Sequence, residues 1–162
     1  MNTRLVDGHS PREPWRMSND TDLTPTVWRR VNDSSGFAAP RTLIRVYTPL
    51  GTLESVTSFY ERLLGVERDM RFTYPQKRLT LAVVGSFLLV EGDEETLAPF
   101  RATDGTLVVD SAETYLARLA AEEGTEVLDP PHRVPTGTGF TVRHPDGTVV
   151  EYVEHRPTPD GN

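Results

Sequence analysis

Cysteine is missing from all 162 residues, and that absence removes disulfides, thiolate nucleophiles, zinc ribbons and iron–sulfur clusters from consideration. Any chemistry must come from oxygen, nitrogen or a bound ion. Positive charge is also scarce: 17 Lys and Arg stand against 24 Asp and Glu, a formal net charge of −7. Up to residue 40 five arginines (Arg4, Arg12, Arg16, Arg29, Arg30) cancel five acids (Asp7, Glu13, Asp20, Asp22, Asp33), so the whole deficit belongs to the remainder. An acidic body repels nucleic acid and anionic lipid, whose binding relies on Lys and Arg neutralising phosphates, and favours hydrophobic or cationic small molecules. Neither nucleic acid nor membrane is expected as a partner. Long hydrophobic runs are lacking too: nowhere do 18 apolar residues stand together, and the opening MNTRLVDGHSPREPW has no apolar core between its charges. The expected location is the cytoplasm.

The length fits one domain of ordinary size. Residues 1–40 are rich in Pro, Asn, Asp, Ser and Arg without sustained periodicity, and are expected to be a flexible or draped extension. Trp15 and Trp28 interrupt that composition, and packing on the body or on a partner subunit stands beside simple solvation for both. From Arg41 the pattern changes. RTLIRVYT reads as a strand, and the stretch 52–65 sets Leu53, Val56, Tyr60 and Leu63 at helical spacing behind a Thr52 cap and before a Gly65 stop. Three strand-like runs follow: VERDMRFTY, KRLTLAVV and SFLLVEG. The second half repeats the order, with DGTLVVD as a strand, SAETYLARLAAEEG as a helix capped by Ser111 and stopped by Gly124, then TEVL, GTGFTVR and TVVEYVE, the last two joined by an HPDG turn. An offset of 59 carries Leu53, Val56, Tyr60 and Gly65 onto Ala112, Tyr115, Leu119 and Gly124. A repeated unit is the economical explanation.

The expected fold is α+β: two paired β-α-β-β-β modules, about 41–92 and 103–155, forming a single domain over 41–156. Each module exposes one sheet face, and pairing the two around a shared cavity buries both while helices cover the outside. Strand alternation turns Leu43, Arg45 and Tyr47 toward the cavity and Ile44 and Val46 toward the first helix. In the second module it turns Asp104, Thr106 and Val108 inward and Leu107 and Val109 toward the helix. In the last strand Val149, Glu151 and Val153 share the face opposite Val150 and Tyr152. Tyr47, Phe72, Tyr74 and Phe140 are candidate aromatic walls.

SFYERLLG (58–65), the SAETYLARLAAEEG helix and above all FTVRHPDGTVVEYVE resemble the vicinal oxygen chelate superfamily, the glyoxalase/bleomycin resistance/dioxygenase group, over about Arg41 to Glu154. PTGTGFTVRHPDG is similar to an uncharacterised bacterial branch of it. The resemblance implies four metal-ligand positions in the members that use a divalent ion. They fall here on Arg45, on Leu89 or the nearby Glu91, on Asp104 and on Glu151. Arginine cannot ligate a metal. None of His9, His132, His144 and His155 lies at a ligand position, although transition-metal sites usually include imidazole. The expectation is therefore no cofactor, with a divalent metal held by Glu91, Asp104 and Glu151 as the alternative.

Arg45 is read either as the cation that replaces the metal, pairing with Glu151 or Asp104, or as a solvated rim residue. Glu151 is the candidate acid–base residue. His132, in DPPHRVPTG, stands as a gate at the cavity mouth or a plain loop residue, and His144 as a turn end. The expected ligand set is Arg45, Tyr47, Phe72, Tyr74, Asp104, Phe140 and Glu151. The resemblance implies a homodimer and a small-molecule binder of the bleomycin-resistance type. The alternative it leaves open is a lyase, isomerase or dioxygenase, either metal-dependent or using Glu151 and Arg45.

Overall fold

The computed structural model describes residues 24–30 and 33–157, so Trp15 lies outside them. The first module is built from strand β2 (Arg41–Thr48), helix α1 (Leu53–Leu64) and strands β3 (Met70–Tyr74), β4 (Leu79–Val84) and β5 (Phe87–Glu91). A short helix α2 (Glu94–Leu97) leads to the second module, which comprises β6 (Gly105–Val109), α3 (Ala112–Ala120), β7 (Glu126–Val134), β8 (Gly137–Arg143) and β9 (Val149–His155). In each module the first and last strands lie side by side and parallel, β2 with β5 and β6 with β9, and the remaining contacts are antiparallel hairpins. The modules join edge to edge through an antiparallel ladder from Arg41↔Val108 to Ile44↔Gly105. The two sheets are thus halves of one continuous curled sheet, the half-barrel form of the paired β-α-β-β-β fold.

Local chemistry explains the helices. Leu53, Val56 and Tyr60 pack α1 on Ala82, Val84 and Leu89, while Ala112, Tyr115 and Leu119 pack α3 on Phe140, Val142, Val150 and Tyr152, so the offset of 59 matches equivalent core positions. Leu63 departs from the pattern at 60% exposed. Gly65 ends α1 in the left-handed region at φ 66°, its N–H donating to the Glu61 carbonyl. Ser111 caps α3 by accepting from the Thr114 N–H at 3.2 Å. That helix ends at Ala120, before Gly124, which instead makes a left-handed turn ahead of β7. Thr52 makes no side-chain cap, because its hydroxyl is taken by the Pro49 carbonyl at 2.6 Å. The first N–H of α1, from Leu53, donates instead to Glu91 Oε2 at 2.7 Å, and the first N–H of α3, from Ala112, donates to Glu154 Oε2 at 2.8 Å. A glutamate from each module's closing strand therefore satisfies an otherwise orphaned helix donor and places negative charge at the positive end of the helix.

One strand lies outside both modules. β1 (Val27–Arg29) pairs antiparallel with β3, Val27 opposite Phe72 and Arg29 opposite Met70. Val27 and Arg29 turn inward and are buried; Trp28 turns outward and is half exposed. The Arg29 guanidinium donates to the Thr136 carbonyl at 3.1 Å and the Arg156 carbonyl at 2.8 Å, joining the β3 end of the sheet to its β8–β9 end. Ser34, fully buried, donates from Oγ to the Val109 carbonyl at 2.6 Å and accepts from the His155 N–H at 2.9 Å. Phe37 packs on the inner core beside Leu43 and Met70. Residues 27–30 and 33–37 lie as a strap across one end of the curl. Among the described residues, no helix is long and apolar enough to cross a membrane.

Candidate functional site

The concave face of the sheet encloses a cavity with about 70 Å³ open to the centres of water-sized molecules. The first module lines it with apolar side chains, among them Leu43, Met70, Phe72, Leu81 and Leu88, interrupted by Arg45 and Tyr74. The second module supplies Thr106, Thr136, Glu151 and His155 together with Val134 and Val153. One half of the lining is almost wholly apolar and the other is mixed.

At its centre Arg45, Thr106 and Glu151 form a closed set. Register brings them together: Thr106 and Glu151 are opposite each other in the β6–β9 ladder, and Arg45 reaches them from β2, the strand next to β6. Arg45 Nη2 donates to Glu151 Oε2 at 2.7 Å, Arg45 Nε donates to Thr106 Oγ1 at 3.1 Å, and Thr106 Oγ1 donates to the same Oε2 at 3.1 Å. The Arg45 side chain is 6% exposed and that of Glu151 25%. A guanidinium that far from water is tolerable only with its countercharge in contact. Arg45 Nη1 and Glu151 Oε1 have no hydrogen-bond partner among the described residues.

Phe72 and Tyr74 also line the cavity. Burial, and then the negative charges of Glu151 and Asp129, push the Tyr74 phenol above its ordinary range. Tyr47 packs on the same core but spends its hydroxyl on the Phe100 carbonyl, and the Arg101 guanidinium sits 5.2 Å from its ring centre.

The remaining expected site residues are elsewhere. Asp104 is exposed just before β6, where Oδ2 accepts from the Val149 N–H at 2.8 Å; it secures the start of β9 and does not line the cavity. Glu91 is committed to the N-terminus of α1. Phe140 is fully buried beneath α3, stacked on Tyr152 at 5.1 Å, because it is the cross-strand neighbour of Tyr152 and shares its outward face. His132 belongs to β7, which extends through the expected loop; it pairs with Asp129 and does not line the cavity. His144 Nε2 lies 2.8 Å from the Tyr152 hydroxyl on the outer surface.

The divalent metal that the fold family implies does not fit these residues. Of the three carboxylates that could hold it, Glu91 and Asp104 bind backbone N–H groups away from the cavity, and Glu151 is paired with Arg45. No cluster of three or more His, Cys, Asp or Glu suited to an ion occurs among the described residues.

His155 is an ionisable cavity residue that sequence reasoning missed. Extending the alternation of β9 two residues beyond Val153 puts it on the Glu151 face, and a rise of about 3.3 Å per residue separates it from Glu151 by roughly 13 Å. Burial lowers its pKa to about 4, aided by the charges of Arg29, Arg41 and Arg156. The imidazole is therefore neutral at physiological pH.

The fold has solved counterparts. A structure described as an uncharacterized protein from Methanosarcina mazei is 42% identical to this chain, covering 73% of this chain and 94% of that one, with a TM-score of 0.65. Methylmalonyl-CoA epimerase is 17% identical, covering 72% of this chain and 95% of that one, with a TM-score of 0.52, a likeness that shows the shared fold alone. No protein-family model matches the sequence, and no curated protein matches it.

Proposed function

This chain belongs to the same family as the Methanosarcina mazei protein and has the vicinal oxygen chelate fold, and from that premise we propose that it is a metal-free binder of a small molecule. The observation that carries the proposal is the buried Arg45–Glu151 pair. A guanidinium stands where metal-using members place an imidazole or amide, and it supplies the positive charge that the closing glutamate would otherwise take from an ion. The reading is sequestration without turnover, as in the bleomycin-resistance members of the superfamily. Cavity size qualifies it. A cavity with about 70 Å³ open to the centres of water-sized molecules matches a compact compound better than a large glycopeptide.

Metal analysis of the purified protein after incubation with zinc, nickel and manganese tests the proposal. Substoichiometric metal, unchanged in Glu151→Gln, is the expected result; a full equivalent per chain that is lost in Glu151→Gln overturns it. The second reading is acid–base catalysis at Glu151, favoured by an Oε1 beside the cavity with no hydrogen-bond partner among the described residues. Solvent-deuterium incorporation into a bound compound would establish it. Homodimerisation belongs to the same proposal, supported by the apolar side chains that α1 leaves exposed, Phe59, Leu63 and Leu64. A monomer in light scattering removes it.

A further inference from the structure

We infer that the cavity selects an uncharged ligand, a single ring or branched chain of similar size, carrying one hydroxyl or carboxamide group that docks on the Arg45–Glu151 pair. This rests on the binder reading above and adds the ligand's chemical class.

Charge balance is the first argument. Arg45 and Glu151 already neutralise each other within the cavity. An anionic ligand would draw Arg45 away and set its own charge against Glu151, and a cationic ligand would take Glu151 and leave Arg45 buried without its partner. Either outcome incurs the desolvation cost of an unpaired buried charge. The imidazole at the far end is neutral and offers no compensation.

Hydrogen bonding is the second. Arg45 Nη1 is a donor and Glu151 Oε1 an acceptor, they belong to the two partners of one ion pair, and neither has a partner among the described residues. One ligand group satisfies both only if it accepts and donates at once, as a hydroxyl or a primary amide does. An ether or a hydrocarbon leaves at least one of them unmatched.

Size and polarity complete the case. Beyond the pair the walls are chiefly Met70, Phe72, Leu81, Val83, Leu88 and Val153, so the rest of the ligand is apolar. The small volume open to the centres of water-sized molecules suits a ring with a short substituent.

Four matched probes test the inference by ligand-observed NMR and calorimetry on the full chain at neutral pH: benzyl alcohol, benzamide, benzoate and benzylamine. The two neutral probes are expected to bind, with benzoate and benzylammonium roughly tenfold or more weaker. In the Arg45→Met/Glu151→Met double variant benzyl alcohol should lose its advantage over toluene. Leu81→Phe, which adds bulk at an apolar wall and leaves both members of the pair in place, should abolish binding of all four and provides the control if the double variant does not fold. Tighter binding of either charged probe, failure of all four to bind, or binding that survives Leu81→Phe overturns the inference. None of these results bears on whether Glu151 carries a metal, so the binder reading stands or falls on its own assay.

Discussion

Arg45 shows what one buried guanidinium demands of its neighbours. With 6% of its side chain exposed, it depends on Glu151, so removing the carboxylate is worse than removing the pair. Glu151→Ala should destabilise the fold by about 3 kcal/mol in urea titration, and Arg45→Met added to Glu151→Met should restore most of that loss. If the double variant is no more stable than Glu151→Ala, the pair is not the unit described. His155 makes a pH prediction. Its pKa of about 4 in the folded state lies below the ordinary value of 6.5, so between those limits the unfolded chain binds more protons than the folded one. Stability contributed by keeping this imidazole neutral is therefore complete above about pH 7 and declines as pH falls toward 4, by up to about 3 kcal/mol. His155→Gln should flatten the pH 7 to 5 part of the urea-midpoint profile; an unchanged slope would show that other groups set it. At this scale the sequence was only partly legible. Alternation along β2 and β9 locates Arg45 and Glu151, because a period of two is a local property of the backbone. Asp104 and Glu91 look equally suited to the cavity in sequence, but nearby backbone N–H groups claim them. Phe140 misleads by register, since its face is fixed by its partner Tyr152 and a slip of one residue inverts the assignment.

At the level of elements, the strap formed by residues 27–30 and 33–37 is the least foreseeable part. A three-residue strand has no periodicity to detect, and its anchorage comes from carbonyls more than 100 residues away, at Thr136 and Arg156. The helices are easy by comparison, because apolar spacing and a glycine stop are written within one stretch of chain. Their caps are mixed: Ser111 is legible and acts locally, whereas the donor of α1 is met by Glu91, which only the folded sheet brings near. Ser34 is the second anchor of the strap. Ser34→Ala would remove a bond to the Val109 carbonyl and strand the buried His155 N–H, costing about 2–3 kcal/mol. Hydrogen exchange should show the loss concentrated at the ends of β6 and β9. A uniform loss across the sheet, or none, would mean that the strap is not held there.

For the molecule as a whole, the order of the nine strands among the described residues predicts where the native state opens first. β2 and β6 lie at the centre of the sheet, each flanked by a strand on both sides, whereas β7 is an edge strand exposed on both faces for most of its length and interrupted by register shifts. Amide exchange should therefore be slowest in β2 and β6 and fastest in β7. Exchange in β7 as slow as in β6 would require an additional strand or a second chain covering that edge. The paired-module architecture was legible because a repeated pattern counts its evidence twice. That the halves share one sheet was not, because edge pairing between β2 and β6 leaves no periodic trace.

The unequal lining of the two modules has a practical consequence for altering this protein. On the binder reading, bore and selectivity belong to different halves of the chain: trimming Phe72 or Leu81 should change how large a guest is admitted, while exchanging Thr106 or Glu151 should change which functional group is welcomed. Arg45 crosses that division, a residue of the greasy half that reaches across the seam. Variants for size and variants for polarity can accordingly be drawn from separate libraries and recombined at the linker between residues 92 and 104, provided position 45 is chosen together with the second half.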